Sequence, residues 1–402
     1  MAKGGTENCV FEMTNGKLSL SDDSFEFVEK NGGAVWMDEG DCTITGGTIT
    51  NFKAQNGGAV YMEGGTFTMT GGTIQNCRAN YNSTTGAGGN GGAVYINDDS
   101  SSATLNITGG SITNNYADWN GGAIYLEGGN VNISGGQLSV NSALGVSDIS
   151  ATEKGNGGGV YLMKGNLTMS AGSVSGNKAT RNGGGLYVSS QSTDIAVNVT
   201  GGNITGNVSE RYGAGLFVQP QGGCSATVNI GATGAPYSNT NPNISGNSAS
   251  LRGGGIYAEG TNAILNLYDG KVKGNYVSAY IYNQDITNEG GGVTLALYPA
   301  DYATEALRNT PVPDLFYITV TIDPNGGDFT DGNTAGTPVN RYLVKSSNST
   351  LAIPTPKRKN FRFIGWLPSQ GEADTGYSSY TDGMTFNYDK DLTLTAQWEF
   401  NN

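Results

Sequence analysis

Over most of the chain, hydrophobic residues fall in short alternating runs, not in long stripes. The run Gly-Gly-Ala/Gly-Val/Ile/Leu-aromatic recurs from Gly32, Gly57, Gly91, Gly121, Gly157, Gly183, Gly213 and Gly253, with a degenerate ninth copy at Gly290. A second run alternates apolar with polar: Cys42/Ile44, Phe67/Met69, Leu105/Ile107, Val131/Ile133, Leu167/Met169, Val197/Val199, Val228/Ile230 and Leu265/Leu267. A third sets an apolar residue three positions ahead of an asparagine: Ile112…Asn115, Leu138…Asn141, Val174…Asn177, Ile204…Asn207, Ile244…Asn247 and Val272…Asn275. In the two earliest copies Phe52 and Cys77 stand in the asparagine's place. Period-two alternation is a strand signal, and a unit of three short strands cannot bury a face without neighbours stacked on it. The pattern predicts an all-β chain: a right-handed parallel β-helix over residues 31–299, with residues 1–30 as a cap or degenerate first coil. About nine coils at roughly 4.8 Å each make a rod on the order of 40 Å long. The glycines supply corners with positive φ. The asparagines suit left-handed turns and a ladder of amide hydrogen bonds along the axis.

These motifs carry a resemblance. Gly-Gly-Ala with Ile, Val or Leu, paired with hydrophobic-x-x-Asn, resembles the passenger repeats of the polymorphic outer membrane protein family, and β-helix adhesins generally, over about residues 31–295. The resemblance implies a surface-displayed β-helix. No barrel-type run follows the repeats, so an autotransporter is not expected.

The repeat stops near Pro299. Residues 300–315, with Pro311 and Pro313, read as a linker, and residues 316–402 as a small second β-domain. That segment contains the turn Asp323-Pro324-Asn325-Gly326-Gly327, then Leu351-Ala-Ile-Pro-Thr-Pro356, Phe361-Arg-Phe-Ile-Gly-Trp366 and Leu392-Thr-Leu-Thr-Ala-Gln-Trp398. In this order the elements resemble the internalin-type B-repeat, a β-grasp-like module. That resemblance implies an exported protein of a Gram-positive cell wall, with further modules and an anchor elsewhere in a longer chain. Trp366 and Trp398 are expected in its core, and Lys357-Arg358-Lys359 in a solvated loop.

Composition narrows the chemistry. The 402 residues include no His, which excludes a Ser-His-Asp triad, a Cys-His dyad and any His-ligated metal. The net charge of −13 disfavours nucleic acid and anionic lipid as partners. No apolar run reaches the roughly 18 residues that span a bilayer. The opening Met1-Ala-Lys-Gly-Gly lacks a signal peptide's apolar core. The chain is therefore either cytosolic or a piece of a longer exported protein; the resemblances favour the bacterial cell surface. Cys9, Cys42, Cys77 and Cys224 show no CxxC spacing and are expected to be reduced. The adjacent acids Asp22-Asp23 and Asp98-Asp99 fit no EF-hand or nonapeptide calcium motif. No cofactor and no metal are expected, and the chain reads as a monomer.

One column stands out as a candidate ligand site. In the first strand Val35/Met37, Val60/Met62, Val94/Ile96 and their successors point inward, so the residue between them points out. It is Trp36, Tyr61, Tyr95, Tyr125, Tyr161, Tyr187, Phe217 and Tyr257. Two positions on, Asp38, Glu63, Asn97, Glu127 and Glu259 share that face. If open, the rings and acids suit a glycan: flat aromatic faces meet the C–H faces of pyranoses and carboxylates accept hydroxyl hydrogens. If covered, the rings are a structural stack. Three functions follow. The first is a non-catalytic surface adhesin that engages host glycans or glycoproteins such as mucin or immunoglobulin. The second is a polysaccharide lyase or glycosidase on the same fold, using acids on neighbouring coils such as Glu63 with Asp38. The third is a purely structural stalk.

Overall fold

The computed structural model describes residues 10–19, 31–97, 102–145, 154–232 and 242–260, with shorter stretches up to 297. Further on it describes 317–329, 338–344, 349–351, 355–369, 384–386 and 392–401, with single positions between. The chain divides into two compact units, Met1–Tyr298 and Pro299–Asn402.

The first unit is a parallel β-helix. Each row of the sequence pattern becomes a row of parallel pairings between successive coils. Val60-Tyr61-Met62 pairs with Val35-Trp36-Met37 on one side and Val94-Tyr95-Ile96 on the other. Thr66–Met69 and Ser111–Thr113 stack in the same way in the second and third rows. In two coils the rows merge into single long strands, Ile124–Ser139 and Val160–Ser175. The degenerate first coil is in register: Phe11 pairs with Cys42, Met13 with Ile44 and Leu18 with Ile49. The inward residues of the stacked coils are buried, Met62, Phe67, Ile74, Leu105 and Ile112 completely, whereas Leu18 of the first coil is exposed.

The structure adds a fourth row that alternation does not reveal. Two-residue strands, Lys53–Ala54, Arg78–Ala79, Tyr116–Ala117, Ser142–Ala143, Lys178–Ala179, Val208–Ser209, Ser248–Ala249 and Tyr276–Val277, form their own eight-stranded sheet. Its inward residue is small, from Ala54 to Ala249, and the glycine corner of the preceding coil runs close to the backbone of each short strand. That closeness explains the paired glycines. The first, such as Gly57 at φ 60° or Gly121 at φ 67°, turns the corner in the left-handed region. The second has no room for a side chain: a Cβ on Gly58 would lie 2.6 Å from the Arg78 backbone, and one on Gly122 2.6 Å from that of Ser142.

The ladder asparagines are buried as expected, but they do not occupy the left-handed turn. That conformation belongs to the residue before each: Asn51, Asn76, Asn114, Val140, Gly176, Gly206 and Gly246 all have positive φ. The reason is geometric. The ladder side chain must point into the coil, and the sharp turn just ahead of it aims it there. Each amide is then saturated. Asn141 Nδ2 donates to Asn177 Oδ1 at 3.0 Å and to the Ile112 carbonyl at 3.0 Å. Asn115, Asn177, Asn207 and Asn247 repeat this pattern. Cys77 closes the early end, its backbone N–H bonded to Asn115 Oδ1 at 3.0 Å. Cys77 and Cys224 are free thiols, and burial pushes Cys77 up to about 12.

The second unit holds a four-stranded mixed sheet. Tyr317–Asp323 lies antiparallel to Val339–Val344 and parallel to Leu392–Phe400, which runs antiparallel to Phe361–Pro368. Val320, Ile322, Ile353, Tyr380, Leu392 and Leu394 form its core, with Trp366 packed against it. Trp398 is tied to the Asn-Gly-Gly turn: its Nε1 donates to the Pro324 carbonyl at 3.1 Å. A Cβ on Gly327 would come within 2.5 Å of the Trp398 ring. Arg358 of the basic cluster packs 4.1 Å over the Phe361 ring.

Candidate functional site

The first-strand aromatics form the column that alternation predicts. Tyr61, Tyr95, Tyr125, Tyr161, Tyr187, Phe217 and Tyr257 make a cluster of their own, with Trp36 packed at one end. Consecutive rings stack at 4.8–5.2 Å between centroids and within 4–11° of parallel. They are 1–7% exposed. A ring stacked on both faces has no face left for a pyranose.

The polar groups of the column are also engaged with one another. Parallel register places Asn97, Glu127 and Gln219 each one coil beyond the tyrosine hydroxyl it meets. Asn97 donates to the Tyr61 hydroxyl at 3.0 Å, and Tyr95 donates to Glu127. Tyr125 donates to Met163 Sδ at 3.1 Å, and Tyr187 to Gln219 Oε1 at 2.8 Å. Glu259 accepts from Gln219 and from the Tyr257 hydroxyl. Burial raises the Tyr61, Tyr95 and Tyr257 phenols, with neighbouring carboxylates adding to the shift. Asp38 and Glu63 are exposed at the early end of the face. The Glu63 amide bonds to the Met37 carbonyl at 2.7 Å, which sets the two acids on adjacent rungs. Partial burial and the charge of Asp38 raise the Glu63 carboxyl.

A second asparagine ladder borders this face at the corner. Asn56 Nδ2 donates to Asn31 Oδ1 at 3.2 Å. The backbone N–H groups of Asn90, Asn120, Asn156 and Asn182 then donate to the Oδ1 of the asparagine one coil earlier, at 3.0–3.3 Å. Tyr212 ends the series by donating to Asn182 Oδ1 at 3.3 Å. Its signal in the sequence is an asparagine directly before the paired glycines in six coils, a position that hydrophobic periodicity does not inspect.

Beside this ladder lies a row that breaks the repeat. Backbone bonds align Gly89, Trp119, Gly155, Arg181, Arg211 and Leu251 in successive coils at 2.7–2.9 Å. Tyr81, from the excursion between coils, stacks on Trp119 at 4.6 Å. Lys154 Nζ sits 3.5 Å from the Trp119 ring centroid and 5.1 Å from that of Tyr81. Further along, Arg211 lies 5.4 Å from the Tyr212 ring, and Tyr212 stacks on Tyr257 at 4.8 Å. Two acid pairs flank the row: Arg78 Nε donates to Asp118 at 2.9 Å, and Lys178 meets Glu210 at 2.8 Å.

Among the described residues, no group of three or more Cys, Asp or Glu gathers in metal-binding geometry. Asp22-Asp23 and Asp98-Asp99 lie outside the described residues. Among those residues no helix is long and apolar enough to cross a membrane.

Comparison with known proteins gives one family match. Residues 109–127 match the Chlamydia polymorphic membrane protein repeat. The matched stretch runs from Gly109 through Ile112, the ladder residue Asn115 and the short strand Tyr116–Ala117 into Gly121-Gly-Ala-Ile-Tyr125. It is thus built around one corner of the coil. No curated protein and no solved structure matches the chain.

Proposed function

We propose that the chain is a non-catalytic cell-surface protein in which the β-helix displays a face for an extracellular glycan or glycoprotein. The C-terminal unit resembles an internalin-type B-repeat and serves as a spacer on the wall of a Gram-positive cell. One observation carries the reading: the stretch that matches a membrane-protein repeat coincides with the structural repeat of the rod. The closure of the ring column supports an inert scaffold. Its hydroxyls and acids bond to each other. Binding then falls to positions where the coils differ.

The reading predicts exposure on intact cells. Antibodies raised against the purified chain should label unpermeabilised cells of the source organism, and external protease should remove the label. Labelling that requires permeabilisation would sink the proposal. Incubation with neutral and acidic polysaccharides should yield no shortened or unsaturated products; product formation would establish the enzyme reading instead.

A further inference from the structure

Two cations of the rod sit against acids. Arg78 is paired with Asp118 and Lys178 with Glu210. Lys154 and Arg211 differ. Each is seated on an aromatic ring, Lys154 on Trp119 and Arg211 on Tyr212, with no carboxylate in ion-pair contact among the described residues. Such seating fixes a cation without neutralising it. Arg211 belongs to the row beside the second asparagine ladder, and Lys154 directly precedes that row's Gly155. The Arg211 amide bonds to the Arg181 carbonyl at 2.9 Å, so these two side chains leave adjacent rungs, roughly 4.8 Å apart along the axis.

We propose that Trp119, Arg181 and Arg211 of this row, with Tyr81, Lys154 and Tyr212 beside them, bind an anionic glycan laid along the rod. The inference rests on the surface-binding reading above and names its ligand class and site. Carboxylate or sulfate groups meet the cations, and the exposed ring edges border the sugar chain. The chemistry favours a sparsely charged sugar over nucleic acid. With a net charge of −13, the whole chain repels a dense polyanion at long range, whereas the row acts within a Debye length of about 8–10 Å. The register along consecutive rungs suits an extended polymer more than a compact ligand, and the asparagine ladder behind the row holds its backbone rigid.

The test uses the full chain against four immobilised probes: hyaluronan, which carries only carboxylates; heparin, which also carries sulfates; neutral dextran; and single-stranded DNA. Hyaluronan or heparin should bind, with affinity falling as salt rises. Lys154→Glu with Arg211→Glu should weaken that binding about tenfold or more, because close charge contacts set the dissociation rate. Lys17→Glu with Lys53→Glu, the same change in net charge elsewhere, should leave it intact. Circular dichroism and thermal melting check folding, and Lys154→Gln with Arg211→Gln replaces the reversal pair if that pair unfolds. Preference for hyaluronan assigns a carboxylate ligand, preference for heparin a sulfated one. Four results overturn the inference: no binding to either acidic glycan, equal loss in the control pair, equal binding of dextran, or tighter binding of DNA. A chain that labels the cell surface yet binds only dextran retains the surface role and loses this site.

Discussion

The rod carries aromatic side chains in two arrangements. The first-strand column repeats in every coil from Tyr61 to Tyr257, and its rings cover one another. The pair Tyr81 and Trp119 occurs once and remains half-exposed, with a lysine seated over the Trp119 ring. Repetition along a β-helix places identical groups one coil apart, so rings stack and hydroxyls find partners above or below. Closure is what repetition produces. An open chemical face needs a position where one coil departs from the next, and here such departures gather at the corner that precedes the paired glycines.

That contrast can be broken by substitution. Tyr125→Ala removes a ring stacked on both faces and should cost about 3–5 kcal/mol, as for other buried aromatics. Trp119→Ala should cost about 1 kcal/mol or less, as expected for a half-exposed side chain away from the core. Urea unfolding measures both. Similar costs would erase the distinction between a closed scaffold and an open site.

The ladder behind the third strand offers a test of comparable size. Asn177→Ala leaves the Asn141 backbone N–H and Nδ2 without their acceptor, and the Leu138 carbonyl without its donor. At the lower end of about 1–3 kcal/mol for each of these three buried groups, the loss is about 3 kcal/mol or more. The same substitution at exposed Asn106, which accepts from Asn132, should shift stability by about 0.5 kcal/mol or less.

Alkaline pH probes the column without mutation. The phenols of Tyr61, Tyr95 and Tyr257 are raised above the ordinary value of 10.0, so the folded chain holds their protons after the unfolded chain has released them. Stability contributed by these groups is present below pH 10 and falls as pH rises above it, because the unfolded state then binds fewer protons. The melting temperature should drop through this range, and tyrosinate absorbance should appear together with unfolding. Tyr95→Phe should flatten the decline. Stacked tyrosines that ionise while the chain stays folded would contradict the closed column.

The smallest effect concerns one corner. Val140 holds φ 58°, where the other coils place Asn or Gly, and its side chain is 56% exposed. A β-branched residue in the left-handed region costs roughly 1–2 kcal/mol, so Val140→Gly should stabilise the rod by about 1 kcal/mol in the same urea assay.

Much of this organisation was legible in the residues. Alternation located the aliphatic core and placed the rings opposite it, because strand geometry alone decides which face a side chain takes. It could not decide coverage, which depends on the ring one coil away. It missed the fourth row because Lys53–Ala54 and its counterparts are two residues long, too short to alternate. It put the left-handed turn one residue late, on Asn115 and not Asn114, since both are asparagines and the motif does not say which must turn and which must point inward. The row holding Trp119, Arg181 and Arg211 was hidden by excursions of unequal length between coils. Its members align through backbone bonds, not at a constant spacing. In the C-terminal unit, the spacing of Asn325-Gly-Gly from Trp398 gave no hint that the turn and the indole touch.

The two asparagine ladders run in opposite senses. On the inner one, Asn115 donates forward to Asn141; on the outer one, Asn120 donates back to Asn90. An unfinished end of the rod therefore offers waiting donors at one corner and waiting acceptors at the other. Such an end is a keyed lock. A newly arriving coil must bring a side-chain oxygen to the first corner and a backbone N–H to the second, and one slipped by a residue loses the asparagine that the first corner requires. For a chain emerging progressively from its amino terminus, each finished coil would act as the template that checks the next.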